Sequence, residues 1–482
     1  MIALGGSSMS LSFDQHAILE LFNLDPSKIE DIQFHNDFGS AIVDVLLRPD
    51  YPACPDCGNT KVVIKGYQLK KIKHSLLSDH SCILHYRARR YRCPVCQRTY
   101  YEDNPFCFKS QKISALTVHN VLRDLKSHTE TFSTVAKRYH ISATSAASIF
   151  DTHVQESRRI LPELMCWDEA YAFHHIDLNS KYVFTILDFI SQEPCDILPS
   201  RKKEYLRSYF LSIPIEERKK VLMIATDMYA EYRAIIRSIF PKALHSVDHY
   251  HVSQELSRKV DSVRIRIMKD VKKTLPNSNI QTDEYYLLKK FNWLIFKRPD
   301  STDKKGRLLF DSNNEKKMNR KLNRYLNFYD IQQLILDIHP DLKTAWQLKD
   351  DLVDFYDNNT YETAPEALKE LIRAFASSDI KEMIDFSRTL RNWQYEIVNS
   401  FIIVKKIHKV DKDTGQVVVS DLKLNNGLME NRNSILKTIK KSSNGYTNWD
   451  RFRNRCLYVL RKSSVPSLNP IIPKKRKEKY MK

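Results

Sequence analysis

The stretch Val221-Leu-Met-Ile-Ala-Thr226-Asp227 is an apolar run that ends on a carboxylate. It is short and has no polar alternation, which indicates a strand buried on both faces. A second strand-like stretch, residues 164–173, reads Leu-Met-Cys-Trp-Asp-Glu-Ala-Tyr-Ala-Phe and has its first acid at Asp168. The two stretches predict buried strands that each present an acid.

The segments around these strands complete an α/β pattern. They are two strands (residues 181–189 and 195–198), an amphipathic helix (204–212), a second helix (230–240) and a short strand (243–248). The resulting order, βββαβαβ, is that of the RNase H-like fold. Because the first and fourth strands are neighbours in that fold, we expect Asp168 and Asp227 to meet.

Carboxylates at the ends of adjacent buried strands suit magnesium, which demands octahedral oxygen coordination. We expect Asp168 rather than Glu169 to be the ligand, since successive strand residues point to opposite sides of a sheet. Two such ions support phosphodiester chemistry, one by activating a water or a DNA 3′-hydroxyl and the other by stabilising the leaving oxygen.

Two cysteine pairs of the form CPxC precede this core, and their sulfurs are the candidate zinc ligands: Cys54, Cys57, Cys93 and Cys96. The residues between the pairs are rich in strand formers. This arrangement predicts a zinc ribbon, in which the metal replaces a core too small to be stable alone. Buried small residues are the alternative reading of the four cysteines.

A basic and aromatic arm, residues 85–92, leads into the second cysteine pair with the sequence His-Tyr-Arg-Ala-Arg-Arg-Tyr-Arg. Its composition suits contact with DNA, and it suits equally a solvated edge strand protected by charge. The candidate DNA contacts in the arm are Arg87, Arg89 and Arg90.

A helix-turn-helix is predicted over residues 112–160. A short helix runs into a tight turn at residues 140–142, and Ser142 is a candidate N-cap of a second helix with a polar first turn. The second helix would lie in a major groove, whereas a plain packing unit of small-residue helices is the alternative. The candidate DNA contacts in this unit are Lys137, Arg138 and Ser145.

The composition favours a polyanionic partner. The 482 residues include 77 Lys and Arg against 58 Asp and Glu, which gives a formal net charge of +19. Nucleic acid is therefore the expected partner, with an anionic membrane surface as the weaker alternative. No apolar run approaches the roughly 20 residues that span a bilayer, so we expect a cytoplasmic protein; Met9 is an alternative start.

Two further segments resemble signatures of the ISL-three family of insertion-sequence transposases. Residues 227–232 (DMYAEY), with Pro241 and residues 248–252 (DHYHV), are similar to the family's DMSxxY…P…DxFHV pattern. Residues 426–455, NGLMENRNSILKTIKKSSNGYTNWDRFRNR, resemble its NGxxEGxNxxIKxxKRxxxGYxNxxxFxxR segment. The order of zinc ribbon, helix-turn-helix and catalytic core is also similar, so the resemblance covers nearly the whole chain.

The resemblance implies a DDE triad of Asp168, Asp227 and Glu430 that holds Mg²⁺ or Mn²⁺. It also implies that Asp248 and His251 form the DxxH element after the second acid. These two residues could brace the site or simply cap a helix. This chain has Asn431 where the family commonly has Gly.

Without the resemblance, Glu430 would be an ordinary exposed helical glutamate. On a helix its face carries Ser434 one turn later and lysines two and three turns later, which suits a metal site beside phosphate. The candidate DNA contacts on that helix are Lys437 and Lys441.

The second and third acids are far apart in the sequence, and residues 254–407 between them show helical periodicity with many basic and aromatic residues. This predicts an all-helical insertion that contacts transposon or target DNA. Residues 298–319 within it are polar and predict a flexible loop.

The predicted fold is an α/β RNase H-like catalytic core with a large all-α insertion, preceded by the zinc ribbon and helix-turn-helix. The predicted domains begin with an N-terminal segment (residues 1–50), the zinc ribbon (51–108) and the helix-turn-helix (112–160). The first part of the core (161–253) and the helical insertion (254–415) follow. The core helix with the catalytic glutamate (416–465) and a basic tail (466–482) complete the chain. The expected function is a DNA transposase that cleaves and joins strands at terminal inverted repeats on double-stranded DNA. We expect a homodimer in the active complex, in the bacterial cytosol at the nucleoid. A DNA-binding regulator without catalysis and a structure-specific nuclease on the same fold are the alternatives.

Overall fold

A computed structural model describes most of the chain, namely residues 25–37, 39–75, 81–108, 111–273, 282–410 and 417–467, with the backbone alone for 405–410 and 417–420. The alternative start at Met9 and the basic tail from residue 468 lie outside these ranges. The chain divides into two compact units: residues 1–157 with 434–482, and residues 158–433.

The first unit contains a five-stranded sheet. Its strands are β1 (Ile29–Asp37), β2 (Ser40–Leu47), β3 (Val63–His74), β4 (Cys82–Arg92) and β5 (Thr99–Tyr101). They lie in the order β1-β2-β4-β3, with β5 paired to β4. Its core is built from apolar residues of four strands, including Ile32, Val43, Ile72 and Leu84. The domain boundary predicted at residue 50 thus runs between strands that share one sheet.

Three helices follow the sheet: α1 (Ala115–Asp124), α2 (Phe132–Arg138) and α3 (Ala143–His153). The turn between α2 and α3 contains His140, whose φ of 49° lies in the left-handed region. Ser142 caps α3 by accepting a hydrogen bond from the Ser145 amide at 3.0 Å. The predicted helices, turn and cap are all observed.

The second unit is built on another five-stranded sheet, whose elements follow the predicted order with one added short helix. They are β6 (Leu164–Ala170), β7 (Val183–Asp188), β8 (Pro194–Leu198), α4 (Lys203–Leu211), α5 (Ile215–Arg218), β9 (Met223–Thr226), α6 (Ala230–Ile239) and β10 (Leu244–Val247). The strand order is β10-β9-β6-β7-β8. Strands β6 and β9 are parallel, with Cys166 opposite Ala225, so the predicted adjacency of the first and fourth strands is observed.

The two faces of β6 pack against different clusters. Trp167 is fully buried and stacks on Phe210 with ring centroids 4.8 Å apart. Cys166, on the other face, packs with Leu424 and Met429. This alternation places Asp168 on the Cys166 face and Glu169 on the Trp167 face.

Most of the segment between β10 and the late helix is helical. Its elements are α7 (His249–Lys273), α8 (Asp283–Lys290), a 3₁₀ helix (Asn292–Phe296), β11 (Lys317–Asn319), β12 (Arg324–Leu326), α9 (Phe328–Leu336), α10 (Pro340–Asn358), α11 (Ala364–Ala376), α12 (Lys381–Asn392), α13 (Gln394–Asn399), β13 (Ile403–Val410) and β14 (Val417–Lys423). Antiparallel hairpins join β11 to β12 and β13 to β14.

The prediction of an all-α insertion over residues 254–415 is therefore wrong at both hairpins. The second hairpin joins two runs rich in β-branched residues, Ile403–Val410 and Val417–Lys423. Such runs favour a pleated backbone over a helix, because two heavy atoms on Cβ restrict χ1. That composition was the signal that the helical interpretation overlooked.

The late helix is α14 (Gly427–Ser442), and α15 (Trp449–Leu460) follows it. Residues of α15 belong to the first unit, where the Tyr458 hydroxyl donates to the Leu122 carbonyl at 3.1 Å. The buried Arg455 guanidinium donates to the carbonyls of Ser127 and Glu130 at 2.8 and 2.9 Å. The predicted core segment 416–465 is thus divided, with its second helix packed against α1–α3. Within the described ranges, no helix is both long and apolar enough to cross a membrane.

Candidate functional site

Asp168 and Asp227 are brought to one edge of the second sheet by the parallel pairing of β6 and β9. Burial, and then the charges of Glu169 and Asp168, raise the pKa of Asp227 to about 7. Asp227 Oδ1 is buried and has no hydrogen-bond partner among the described residues. One oxygen of the Asp227 carboxylate is thus buried without a donor beside other acids, a setting that a cation would stabilise, so this edge fits a magnesium site.

Asp168 is held in a defined orientation. Its Oδ2 accepts a hydrogen bond from Asn433 Nδ2 at 2.7 Å, and its Oδ1 accepts one from the Glu169 amide at 2.8 Å. Asn433 is buried in α14, 6% exposed. The carboxylate is therefore positioned by a side chain of the helix that carries Glu430.

Glu169 points away from Asp168, as the strand alternation predicts. Its carboxylate accepts from the Tyr232 hydroxyl at 2.5 Å and is ion-paired with Arg201. The guanidinium of Arg201 also lies over the Tyr182 ring, 4.3 Å from its centroid. The charge of Glu169 nevertheless raises the pKa of Asp227, and it does so more than the charge of Asp168 does.

The start of α14 is fixed against β6 by hydrogen bonds. Asn426 Nδ2 donates to the Trp167 carbonyl at 3.1 Å, and the Cys166 thiol donates to the Asn425 carbonyl at 3.2 Å. Met429 is fully buried in the cluster beneath. The first turn of α14 consequently has a set position beside the strand that carries Asp168.

Glu430 is exposed in that first turn. It lies three residues before Asn433, which places both on one side of the helix. Among the described residues, the one set of three or more potential metal ligands whose atoms all lie within 4.8 Å is a cysteine cluster. Asp168, Asp227 and Glu430 are thus more widely spaced than the ligands of a single ion.

Asp248 links the end of β10 to the start of α14. Its Oδ2 accepts from the Asn426 amide at 3.0 Å, and its Oδ1 accepts from the Tyr250 amide at 3.1 Å. Burial acts to raise the pKa of Asp248, yet hydrogen bonds from His249 and the Tyr250 amide, with the nearby charge of His251, lower it overall. Both sequence interpretations of Asp248, brace and helix cap, therefore describe contacts that it makes.

The four cysteines of the CPxC pairs form a metal centre in the first unit. Cys54 and Cys96 sulfurs are 3.5 Å apart, and Cys57 lies 3.6 Å from both Cys93 and Cys96. Zinc bonds of about 2.3 Å at tetrahedral angles require sulfur separations of roughly 3.8 Å. Hydrogen bonds, led by that from the Cys96 amide, lower the pKa of Cys93 to about 6, whereas burial and contacts with the other thiols raise the pKa of Cys96; the thiolate that zinc binds is therefore favoured at Cys93. The cluster is suited to a structural zinc ion.

One predicted DNA contact has to be corrected. Arg89 is 1% exposed, and its guanidinium is occupied by ion pairs with Glu30 and Glu102. It stabilises the sheet and does not present its guanidinium to a ligand.

The other predicted DNA contacts differ in their availability. Arg138 is ion-paired with Asp124 and Glu130, and Arg90 donates to the Thr99 hydroxyl at 3.0 Å. The Ser145 hydroxyl lies 2.8 Å from that of Ser142. The exposed candidates are Arg87, Lys137, Lys437 and Lys441.

Asn426 and Asn433 were not predicted to act in the site. Both occur in the segment around Glu430, four residues before and three residues after it. That spacing places them near the same side of a helix as the acid. It was the signal that could have identified them.

Comparison with known proteins gives three findings. Residues 165–456 match the family model of ISL3-type DDE proteins, described as "Transposase". Residues 50–96 match a model described as "zinc-finger of transposase IS204/IS1001/IS1096/IS1165". The chain is also similar to the transposase for insertion sequence element IS1001 from Bordetella parapertussis, 20% identical over 431 residues, which cover 88% of this chain and 93% of that protein.

Proposed function

The chain belongs to the ISL3 family of DDE transposases, and from this premise we propose that it cleaves DNA at the terminal inverted repeats of an insertion sequence and joins the 3′ ends to target DNA. The observation that carries the proposal is the half-buried acid pair. Asp227, with an unpartnered buried oxygen, adjoins Asp168 on neighbouring parallel strands. Such a pair suits a metal that acts on phosphodiesters.

We propose an RNase H-like core, for which the βββαβαβ order and the adjacency of β6 and β9 are the support. In this proposal Asp168, Asp227 and Glu430 hold two magnesium ions. Carboxylate oxygens are the ligands that magnesium prefers, and a carboxylate shared between two ions can bridge them. Magnesium, when bound, activates the attacking hydroxyl and stabilises the leaving oxygen.

The residues of this chain supply orientation. Asn433 fixes the Asp168 carboxylate, and Asn426 fixes the first turn of α14 on the Trp167 carbonyl. The Asp248 carboxylate in turn accepts a hydrogen bond from the main-chain amide of Asn426. These bonds set the position of the helix that carries Glu430 relative to Asp168, which supports the proposal that ligand positions are fixed before DNA arrives.

The zinc ribbon and the α2–turn–α3 unit would recognise the transposon ends. The exposed side chains of Thr144 and Ser148 on α3 suit contacts with base edges or phosphates in a major groove. A homodimer in the active complex is proposed because two ends must be processed together.

The function is tested by incubating the protein and Mg²⁺ with a linear duplex that carries the chromosomal flanks of the coding region. We expect nicks at the borders of imperfect inverted repeats, and subsequent joining of the 3′ ends to a plasmid, both read by primer extension. Cleavage that ignores the repeats, or proceeds without a divalent metal, would contradict the proposal.

Glu430→Gln is expected to lower the cleavage rate by about a thousandfold or more, because one of three ligands that act as a unit is lost. Affinity for the end DNA should stay within about threefold, since the ribbon and helical units are untouched. The matched control is Glu366→Gln, an exposed glutamate in the first turn of α11, which should cleave normally. Equal rates for the two variants would exclude Glu430 from the site.

Asn433→Ala is expected to reduce cleavage by about 10- to 100-fold, since loss of an outer partner disorients a ligand. The loss should be smaller at saturating Mg²⁺, and the apparent Mg²⁺ affinity should fall, which a purely structural role would not produce. Asn431→Ala, an exposed change on the same helix, is the control. If both variants bind Mg²⁺ like the wild type, Asn433 has no positioning role.

A further inference from the structure

The insertion contains a strongly basic segment away from the acid pair. Residues 289–324 include twelve Lys and Arg and four Asp and Glu. Ion pairs neutralise a few of the cations, among them Arg307 with Asp303 and Lys316 with Asp330. The excess of positive charge makes this segment a candidate surface for a polyanion.

The segment has a defined shape, contrary to the flexible loop predicted for residues 298–319. The amide of the buried Asn327 donates to the Ser312 and Asn314 carbonyls, both at 3.0 Å. Leu309 is buried, and a β-bridge joins Thr302 to Leu308. The hairpin of β11 and β12 then projects its basic residues from a fixed base.

A cavity of about 730 Å³ lies between this hairpin, the end of α8 and the start of α9. Its wall includes the aromatic rings of Phe291 and Phe328 and the cations of Lys290, Arg320 and Lys321. Asp303 also lines it, but accepts hydrogen bonds from Arg307 and from the Lys305 amide. Glu315 lines it as well, so the cavity combines flat apolar faces with an excess of positive charge over negative.

This combination suits a nucleotide whose base is free of a partner. Aromatic faces bind bases of any sequence by stacking, and lysine and arginine bind the adjoining phosphates. A base within a duplex cannot enter a concave site, whereas an unpaired base can. An acidic peptide would use the cations and leave the aromatic rings unused.

Exposed aromatic residues continue the surface outside the cavity. Tyr325 on β12 is 68% exposed, and Trp293, which packs edge-on against Phe328, is partly exposed as well. Large exposed rings beside unpaired cations form a stacking platform along which a strand could extend.

We propose that this cavity binds an unpaired nucleotide of a DNA strand, with the base between the aromatic rings and the phosphates on the hairpin. The inference rests on the proposed function in that DNA is the substrate. It adds a single-strand site whose lining does not include the proposed catalytic acids.

The test compares two double variants of the full chain with identical charge changes. Arg320→Glu with Lys321→Glu alters the cavity, while Lys304→Glu with Lys305→Glu alters exposed lysines of the same segment that do not line it. Binding of a fluorescent 12-nucleotide oligo-dT and of a duplex of the same length is measured by anisotropy without added Mg²⁺.

We expect the cavity variant to lose at least about tenfold in oligo-dT affinity and less than about threefold in duplex affinity. The control should change both by less than about threefold. Equal weakening by the two variants, or equal weakening of both DNA forms, would reduce the segment to a general basic surface and overturn the inference.

Phe328→Ala tests the stacking directly, with an expected loss of about tenfold for oligo-dT. Its ring is 39% exposed, so the thermal midpoint should hold, and an unchanged affinity would overturn the inference. The end-cleavage assay separates the two proposals. If the wild type cleaves while all variants bind oligo-dT normally, the cavity inference alone fails. If it does not cleave but the cavity variant loses oligo-dT, the proposed function alone fails.

Discussion

Asp227→Asn is expected to abolish strand cleavage, with a loss of the rate on the order of 10⁴-fold. The loss is large because the three proposed metal ligands act together, and removal of one disables the site. The asparagine keeps the shape of the side chain and removes the charge that would bridge to a metal. The measurement is the single-turnover rate on end DNA with Mg²⁺. Asp188→Asn, at the end of β7 and two strands away from β9 in the sheet, is the control and should retain activity.

The same substitution should leave the fold intact. Asp227 is half-buried beside two other acids and has a buried oxygen without a donor, so in the absence of metal its charge destabilises the folded state. Without Mg²⁺ the thermal midpoint of Asp227→Asn should equal or exceed that of the wild type, whereas Mg²⁺ should raise the midpoint of the wild type alone. Cleavage that survives in the variant would remove Asp227 from the active site.

Cys93→Ser is expected to have the largest effect on stability. Structural zinc sites contribute about 10 kcal/mol or more of binding free energy that is also folding free energy, and a serine cannot replace the thiolate. The variant should lose its one equivalent of zinc and, with it, affinity for the end DNA. Zinc is quantified by release to a chromogenic chelator, and ordering of the ribbon by circular dichroism.

The loss of ordered structure in Cys93→Ser should be confined to the end of the sheet next to the cysteine cluster. The first nine residues of β3, Val63–Lys71, include no buried residue. This part of the strand therefore buries little apolar area that could stabilise it without the metal. Ile72 and the strands β1 and β2 form the apolar core at the other end. Cys107→Ser, outside the cluster, is the control, and a Cys93→Ser protein that kept its zinc would contradict the assignment.

Some of the site could be predicted because local pattern determines it. Two CPxC turns place pairs of thiolates on one ion, whatever the rest of the chain does. The strand order predicted that Asp168 and Asp227 would meet, since neighbouring parallel strands end at one edge of a sheet. The alternation of strand residues separated Asp168 from Glu169 in the same way.

Other features depend on which neighbours a segment packs against. The basic arm of β4 alternates like any edge strand, and its pattern does not tell that Arg89 turns inward to Glu30 and Glu102. The insertion was read as helical throughout because its periodicity is helical over most of its length. The β13–β14 hairpin is stabilised by pairing between two runs, which a window on either run alone does not register.

The sequence by itself determined the zinc ligands, the strand order and the presence of an acid on each of two core strands. Only the tertiary structure decided how Glu430 is positioned, because the bonds that do so join distant segments. Asn433 reaches Asp168 across 265 positions, and Asp248 reaches Asn426 across 178. Hydrogen bonds of buried polar groups form wherever packing brings donor and acceptor together. The partners of these groups are therefore set by tertiary packing and not by local sequence.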